Sequence, residues 1–288
     1  PPNSFIASTA AIVHLGAKPI FADVKEDQSI DPKEIEKKIN VNTKAIMPVH
    51  LSGNPCDMDQ IKNISKKYKI PIIEDAAQAI GSKYKNFFLG TIGEIGCFSA
   101  HPLKNLNALG DAGYMVTNNK NFANKAKLLR NHGIEKRNKI LYFGYVSRMD
   151  NFQAAILNLR LKKLKKNISK RRHNANLYRK YLSNLKNINL PTPGKDKFHT
   201  YHTFILRTQN RDKLKKYLEK KGISTAIHYP YLIFNQKAYK KKFGLVNKKD
   251  YKISIKLSKE ILTLPINQFL SHLEIKFICN EIKNFYKA

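Results

Sequence analysis

The chain has 288 residues, 42% of them hydrophobic, enough to bury a core in one large unit plus a smaller one. Lys and Arg number 53 against 21 Asp and Glu, a formal charge of +32 that by itself would point to nucleic-acid binding. No stretch is long and apolar enough to span a bilayer. Three cysteines, Cys56, Cys97 and Cys279, form no CxxC pair and leave an odd one, which argues against a zinc site or a disulfide framework and makes a reducing cytoplasm the default.

In chain order, strand and helix patterns alternate as a doubly wound parallel sheet requires. Short apolar runs at 19–24, 45–50, 70–74 and 95–99 predict buried strands. Between the first two, Asp31-Pro32 opens a helix through Ile39, with the acid as N-cap and proline in the first turn. A second helix follows Asp57, with Met58, Ile61, Ile64 and Tyr68 on one face. A long helix is predicted over 150–167, with Phe152, Ile156, Leu157, Leu159, Leu161 and Leu164 on more than one side, so it packs on two partners. The basic runs around Lys37-Lys38 and Lys162-Lys163 also carry apolar residues at helical spacing. Their charge is therefore read as coating solvated helix faces, and nucleic acid is not the expected partner. Punctuation at Leu190-Pro191-Thr192-Pro193-Gly194 places a domain boundary there, giving a large domain over 1–190 and a small one over 191–288. The small domain should contain a strand over 201–207 and a helix over 211–221 stopped by Gly222. A last helix should open on the capping box Ser271-His272-Leu273-Glu274.

Two segments carry chemistry. Cys97-Phe98-Ser99-Ala100-His101-Pro102-Leu103-Lys104-Asn105 leads a strand into a turn that presents Lys104 near a serine. Pro71-Ile72-Ile73-Glu74-Asp75 ends a second strand in an acid able to face the same cleft. In open α/β sheets the carboxyl ends of strands are where ligands bind. A lysine amine that condenses with an aldehyde, a carboxylate that holds a proton on a pyridine nitrogen and a hydroxyl that donates to a phosphate together suggest pyridoxal 5′-phosphate. The plainer roles are Lys104 as a surface lysine, Asp75 as a helix cap, Ser99 as a turn residue and Phe5 as core. The histidines His50, His101 and His228 lack metal-ligand spacing, so no metal site is expected.

An ordered series of short matches decides between these readings. It runs through Pro2-Asn3-Ser4-Phe5-Ile6-Ala7-Ser8, Gly16-Ala17-Lys18-Pro19, Pro48-Val49-His50-Leu51-Ser52-Gly53, Glu74-Asp75-Ala76-Ala77-Gln78, Phe98-Ser99 to Lys104-Asn105 and Asn131-His132-Gly133. It continues with Gly144-Tyr145, Ser147-Arg148-Met149-Asp150, Gln153-Ala154-Ala155-Ile156, Ile227-His228-Tyr229-Pro230 and Leu264-Pro265. With these the chain resembles the DegT/DnrJ/EryC1/StrS sugar aminotransferases over nearly its whole length. The resemblance implies the fold-type-I architecture: a doubly wound, mostly parallel sheet with a smaller C-terminal α/β domain.

Residue by residue, the resemblance makes Lys104 the Schiff-base lysine and Asp75 the partner of the pyridine nitrogen. It makes Gln78 a neighbour of the cofactor's ring oxygen, Ser99 a phosphate ligand and Phe5 the ring that stacks on the pyridine face. It implies transamination of a nucleotide-linked keto sugar, with an amino acid such as glutamate as donor. It also implies a homodimer in which the loop 144–149 reaches the neighbour's pocket. Two departures stand out. Relatives carry, ahead of the first match, a segment with a Gly-Thr or Gly-Ser turn whose amides hold the phosphate, and it is absent from this sequence. Val146 stands where relatives have an asparagine that reaches the phosphate across the dimer, a bond valine cannot make. Two alternatives stay open: a pyridoxal-phosphate sugar dehydratase, whose members replace the lysine with histidine, and a non-catalytic regulator or nucleic-acid binder.

Overall fold

The computed structural model describes residues 1–287. Helix α1 (Ile6–His14) follows the extended Phe5. Helix α2 (Pro32–Lys38) starts where predicted: the Asp31 carboxylate accepts the Lys33 N–H at 2.9 Å, and Pro32 sits in the first turn, where no intrahelical donor is lost. Helix α3 (Met58–Tyr68) buries Met58, Ile61 and Ile64. The central sheet has the order β1 (Ile73–Asp75), β4 (Ile95–Ser99), β5 (Gly113–Val116). The first pair is parallel with Asp75 opposite Cys97, and the second is antiparallel. Between β1 and β4 the chain forms the short pair β2 (Lys83–Tyr84) and β3 (Phe87–Phe88).

After β5 come α4 (Lys120–Leu129), whose N-terminal amides are capped by Asn119, and the hairpin β6 (Ile134–Lys136) and β7 (Lys139–Ile140). The helix α5 (Asn151–Leu182) is 32 residues long and continues 15 residues past the predicted end at Asn167. Strand β8 (Lys197–Phe198) pairs with β2, joining the chain beyond α5 to the first half. There follow β9 (Phe204–Arg207), α6 (Arg211–Lys220), α7 (Lys237–Phe243), α8 (Lys252–Glu260), β10 (Ile261–Leu264) antiparallel to β9, and α9 (His272–Lys287). The capping box forms as predicted, with Glu274 accepting from the Ser271 N–H at 2.7 Å and Ser271 Oγ accepting from the Glu274 N–H at 3.2 Å.

Two predicted strands differ from expectation. Over 45–50 the chain runs parallel to β1: Ile73 N–H donates to Ile46 O at 2.9 Å and Asp75 N–H to Pro48 O at 2.9 Å, while His50 N–H returns to Asp75 O at 3.0 Å. Only the bridges Ile46 with Ile72 and Val49 with Asp75 result, because Pro48 has no N–H to give the ladder. Over 19–24 the chain is buried except at Ile20, and only Val24 pairs, with Ile30. This segment instead serves α8, whose Ile253 and Ser254 amides each donate to the Asp23 carboxylate at 2.9 Å. An acid there meets the unpaired donors of a helix start.

The core is built in patches. Ile61, Ile64, Ile72, Ala76 and Leu89 form one under β1, while Ala100, Leu106, Leu157, Leu164 and Ile168 form another along the first half of α5. Ala175, Tyr178 and Leu182, from the second half of α5, pack with Phe204, Leu214, Leu262, Ile275 and Ile282. Each Leu, Ile or Phe among them, fully buried, contributes roughly 1.5–3 kcal/mol, and each alanine methyl less. Helix α5 thus touches two cores, but through its successive halves and not through two sides of 150–167 as expected: Phe152, Leu159 and Leu161 are exposed, and the second core is met only beyond Asn167. Among the described residues no helix is long and apolar enough to cross a membrane, and no group of three or more His, Cys, Asp or Glu is placed to hold a metal.

Candidate active site

Asp75 is the last residue of β1, held by the flanking backbone on both of its own amide groups. Its carboxylate is oriented rather than free: Oδ2 accepts from the Ser8 hydroxyl at 2.6 Å and Oδ1 from the Ala77 N–H at 3.0 Å. Ser8 lies in α1, a helix that the strand pattern of the sequence did not reveal, although its residues belong to the first matched segment. Directly behind Asp75, the Glu74 carboxylate is fully buried. It accepts N–H bonds from Gly90 at 2.8 Å, Ile92 at 2.7 Å and Gly93 at 2.6 Å, and a bond from His50 Nε2 at 3.0 Å. His50 Nδ1 accepts the Cys56 N–H at 3.2 Å, which fixes the imidazole as the Nε2–H tautomer. Burial opposes the Glu74 charge, but the bonds from His50 and the two glycine amides outweigh it and hold the carboxyl below its ordinary 4.5. The loop 90–93 is thereby pinned beneath the end of β1.

Lys104 lies in the turn after β4, its N–H bonded to His101 O at 2.8 Å. Burial lowers the affinity of its amine for a proton, opposed by the charge of Asp75, which places the amine and that carboxylate in one electrostatic environment. Two histidines share it. Burial and the Lys104 charge push the proton affinity of His202 well down and that of His228 down, which disfavours charge on both rings. His228 Nδ1 meets Thr263 Oγ1 at 2.9 Å, while His202 Nδ1 is buried without a partner. Metal-ligand spacing and strand-end position are poor guides to His202; only its place two residues before β9 marks it.

The other expected site residues fall around this pair. Ser99, the last residue of β4, accepts the His101 N–H on Oγ at 3.3 Å, a turn role that leaves its hydroxyl proton to donate. Gln78 is 8% exposed and held at both ends, with Oε1 accepting the Ser52 N–H at 2.6 Å and Nε2 donating to Tyr229 Oη at 3.2 Å. Phe5 is 57% exposed, with its ring centroid 6.0 Å from that of Tyr229. Val146 is exposed, its backbone bridged to Asn131.

A pyridoxal phosphate needs an amine, an acid, hydroxyl and amide donors and an apolar face, and this donor set fits it. A second sign is Asn105, next to Lys104, whose Nδ2 and Oδ1 are both buried without partners. A buried amide left unpaired costs about 1–3 kcal/mol per group, which suits a position completed by a bound molecule.

The DegT/DnrJ/EryC1/StrS aminotransferase family model matches residues 1–283. The chain is 39% identical over 288 residues to dTDP-3-amino-3,6-dideoxy-alpha-D-galactopyranose transaminase of Aneurinibacillus thermoaerophilus, covering 99% of this chain and 77% of the relative. It is 34% identical over 289 residues to a protein of Geobacillus stearothermophilus named as a pleiotropic regulatory protein, with the same two coverages. The solved structure of S. venezuelae DesV in complex with a ketimine intermediate superposes with a TM-score of 0.96 at 32% identity, covering 100% of this chain and 77% of that one. The chain therefore belongs to the DegT/DnrJ/EryC1/StrS aminotransferase family.

Proposed function

We propose that the chain is a pyridoxal-phosphate-dependent aminotransferase that moves an amino group from an amino acid such as glutamate to a nucleotide-linked keto sugar. The observation that carries this reading is a lysine, Lys104, whose charge burial disfavours and which feels the charge of an Asp75 carboxylate aimed by Ser8 and Ala77. When bound, pyridoxal phosphate supplies an aldehyde for amine exchange and a protonated pyridine ring that withdraws electrons. In this reading Asp75 holds the proton on the pyridine nitrogen, and Ser8 keeps the carboxylate turned toward it. Lys104, eased toward its neutral form by burial, would hold the aldehyde carbon until the amino acid's amine displaces it, and the freed lysine amine would then take and return the α-proton. Ser99 donates its hydroxyl proton to the phosphate, Gln78 presents its amide to the ring oxygen, and Phe5 covers the ring face and excludes water.

The presence of Lys104 weighs against the dehydratase alternative, whose members carry histidine there. A regulatory role is favoured by one observation, the relative named as a regulatory protein; it predicts salt-dependent DNA binding without a cofactor spectrum. We also propose a homodimer. Ile140, Tyr145 and Val146 are exposed on the segment that follows β6, and Phe143 is fully so, an apolar surface that a second copy would cover. The proposed compartment is a reducing cytoplasm, in keeping with three free cysteines. The two proposed domains divide near Pro191, with α5 shared between their cores.

Borohydride reduction of the cofactor-loaded protein, followed by peptide mass spectrometry, tests the function. The label is expected on Lys104, and a label on any other lysine refutes the assignment.

A further inference from the structure

The geometry around Gln78 fixes a proton that the reaction outlined above does not use. Ser52, held at a left-handed φ of 62°, aims its N–H at the Gln78 amide. The atom it meets must be the oxygen, so the amide nitrogen faces Tyr229 and donates to the phenol oxygen. A phenol that accepts one N–H still has its own O–H to give. Among the described residues the bond from Gln78 is the one Tyr229 Oη makes. Burial and the Asp75 charge keep the phenol protonated, against the pull of the Gln78 bond, so that donor persists at any working pH.

The tyrosine is also rigidly placed. Ala226 and Thr263 exchange backbone bonds at 3.1 and 2.7 Å, and His228 is tied to the Thr263 side chain at 2.9 Å. His202 N–H donates to Ser52 O at 2.8 Å, and Thr203 Oγ1 donates to Ser52 Oγ at 2.7 Å, so Ser52 is anchored from the far side as well. On the cleft side, the Tyr229 ring lies 6.0 Å from the Phe5 ring at 40°.

We propose that Tyr229 is a binding residue of this site. Its O–H, oriented through the Ser52–Gln78 amide chain, donates to an anionic oxygen held over Phe5. The shared chemistry is an oxyanion, carried either on the cofactor ring or as the amino donor's carboxylate; this rests on the aminotransferase reading. A hydrogen bond already accepted from an amide polarises the phenol as a donor.

Tyr229→Phe removes the proton and keeps the ring against Phe5. The variant should bind cofactor, take the borohydride label on Lys104 and melt where the unaltered protein does. If the ring oxygen is the acceptor, the pH at which the cofactor's visible band changes should rise by about one unit, because the lost donor no longer stabilises the anion. If the carboxylate is the acceptor, the band stays and KM for glutamate rises roughly tenfold or more, with kcat less affected. A folded Tyr229→Phe protein with unchanged band titration and unchanged KM overturns the proposal, as does a fall in melting temperature alone. Failure of the unaltered protein to take the label on Lys104 overturns the aminotransferase reading, and this proposal with it.

Discussion

Glu74→Gln should be among the most damaging isosteric changes in the chain, and the geometry says why. Each carboxylate oxygen faces two donors: Oε1 faces the Ile92 and Gly93 amides, while Oε2 faces Gly90 and His50 Nε2. A glutamine amide presents one oxygen and one NH2 group. Whichever way it is flipped, the NH2 meets two donors, so two bonds to a charged group are lost and donor faces donor. At roughly 1.5–3 kcal/mol for each such bond, the loss is about 3–6 kcal/mol. That is a large part of the roughly 5–15 kcal/mol that stabilises an ordinary domain, and it corresponds to a fall in melting temperature on the order of 10 °C. Urea unfolding followed by circular dichroism measures it. The pH dependence adds a second readout. Because the folded carboxyl lies below 4.5, its contribution is present above about that pH and is lost as pH falls through the folded value. The variant's stability should therefore vary less with pH on the acid side. A Glu74→Gln protein within about 1 kcal/mol of the unaltered one would refute the reasoning.

Three other outcomes are expected. Asp75→Asn should retain part of its cofactor affinity and lose on the order of a hundredfold or more in transamination rate, since an amide cannot hold the ring proton; single-turnover kinetics would show it, and normal turnover would remove Asp75 from the mechanism. Ser8→Ala, which takes away the 2.6 Å bond but leaves the Ala77 amide, should lower the same rate by roughly tenfold and leave the cofactor band in place. Raising ionic strength should lower kcat/KM for a nucleotide sugar while leaving kcat little changed, because a chain of formal charge +32 attracts an anionic substrate through a screened field.

Much of this was legible in the sequence because local chemistry and periodicity agreed. The Asp31-Pro32 start, the Ser271 to Glu274 box and the Gly222 stop all form where their residue types require it. The second half of α5 was hidden for a physical reason. Its buried stripe runs Ile168, Arg171, Asn174, Ala175, Tyr178, Leu182, and two polar residues occupy core positions. Arg171 is satisfied by the Tyr201, His202 and Ile266 carbonyls and Asn174 by those of Asn267 and Leu270, partners that lie 30 to 96 residues away along the chain and cannot be read locally. The same holds at the site. Lys104 and Asp75 announce themselves by type and by strand end, whereas Ser8, Ser52 and Tyr229 are tied to the candidate site through bonds across 26 to 151 residues.

The charge surplus and the site are kept apart by how the basic residues are spent. From Asn151 to Leu182, α5 contains no acid, and Lys162, Lys163, Lys165, Lys166 and Lys170 are exposed, where water screens them and each costs the fold little. The buried Arg171 loses some of its proton affinity to burial, down to about 10, yet stays charged because three carbonyls and Gln268 share its donors. Around Lys104, by contrast, the neighbouring bases are histidines whose charge burial disfavours, and the nearby charge that acts on the amine is a carboxylate. A lysine among several cations would be disfavoured as a cation still further; at Lys104 burial disfavours the charge and the Asp75 carboxylate opposes it, which suits the proton-transfer role proposed for the amine. The bases in the electrostatic environment of the amine are His202 and His228, and the charge of the buried Arg171 adds to that of Lys104 in disfavouring a cation at His202.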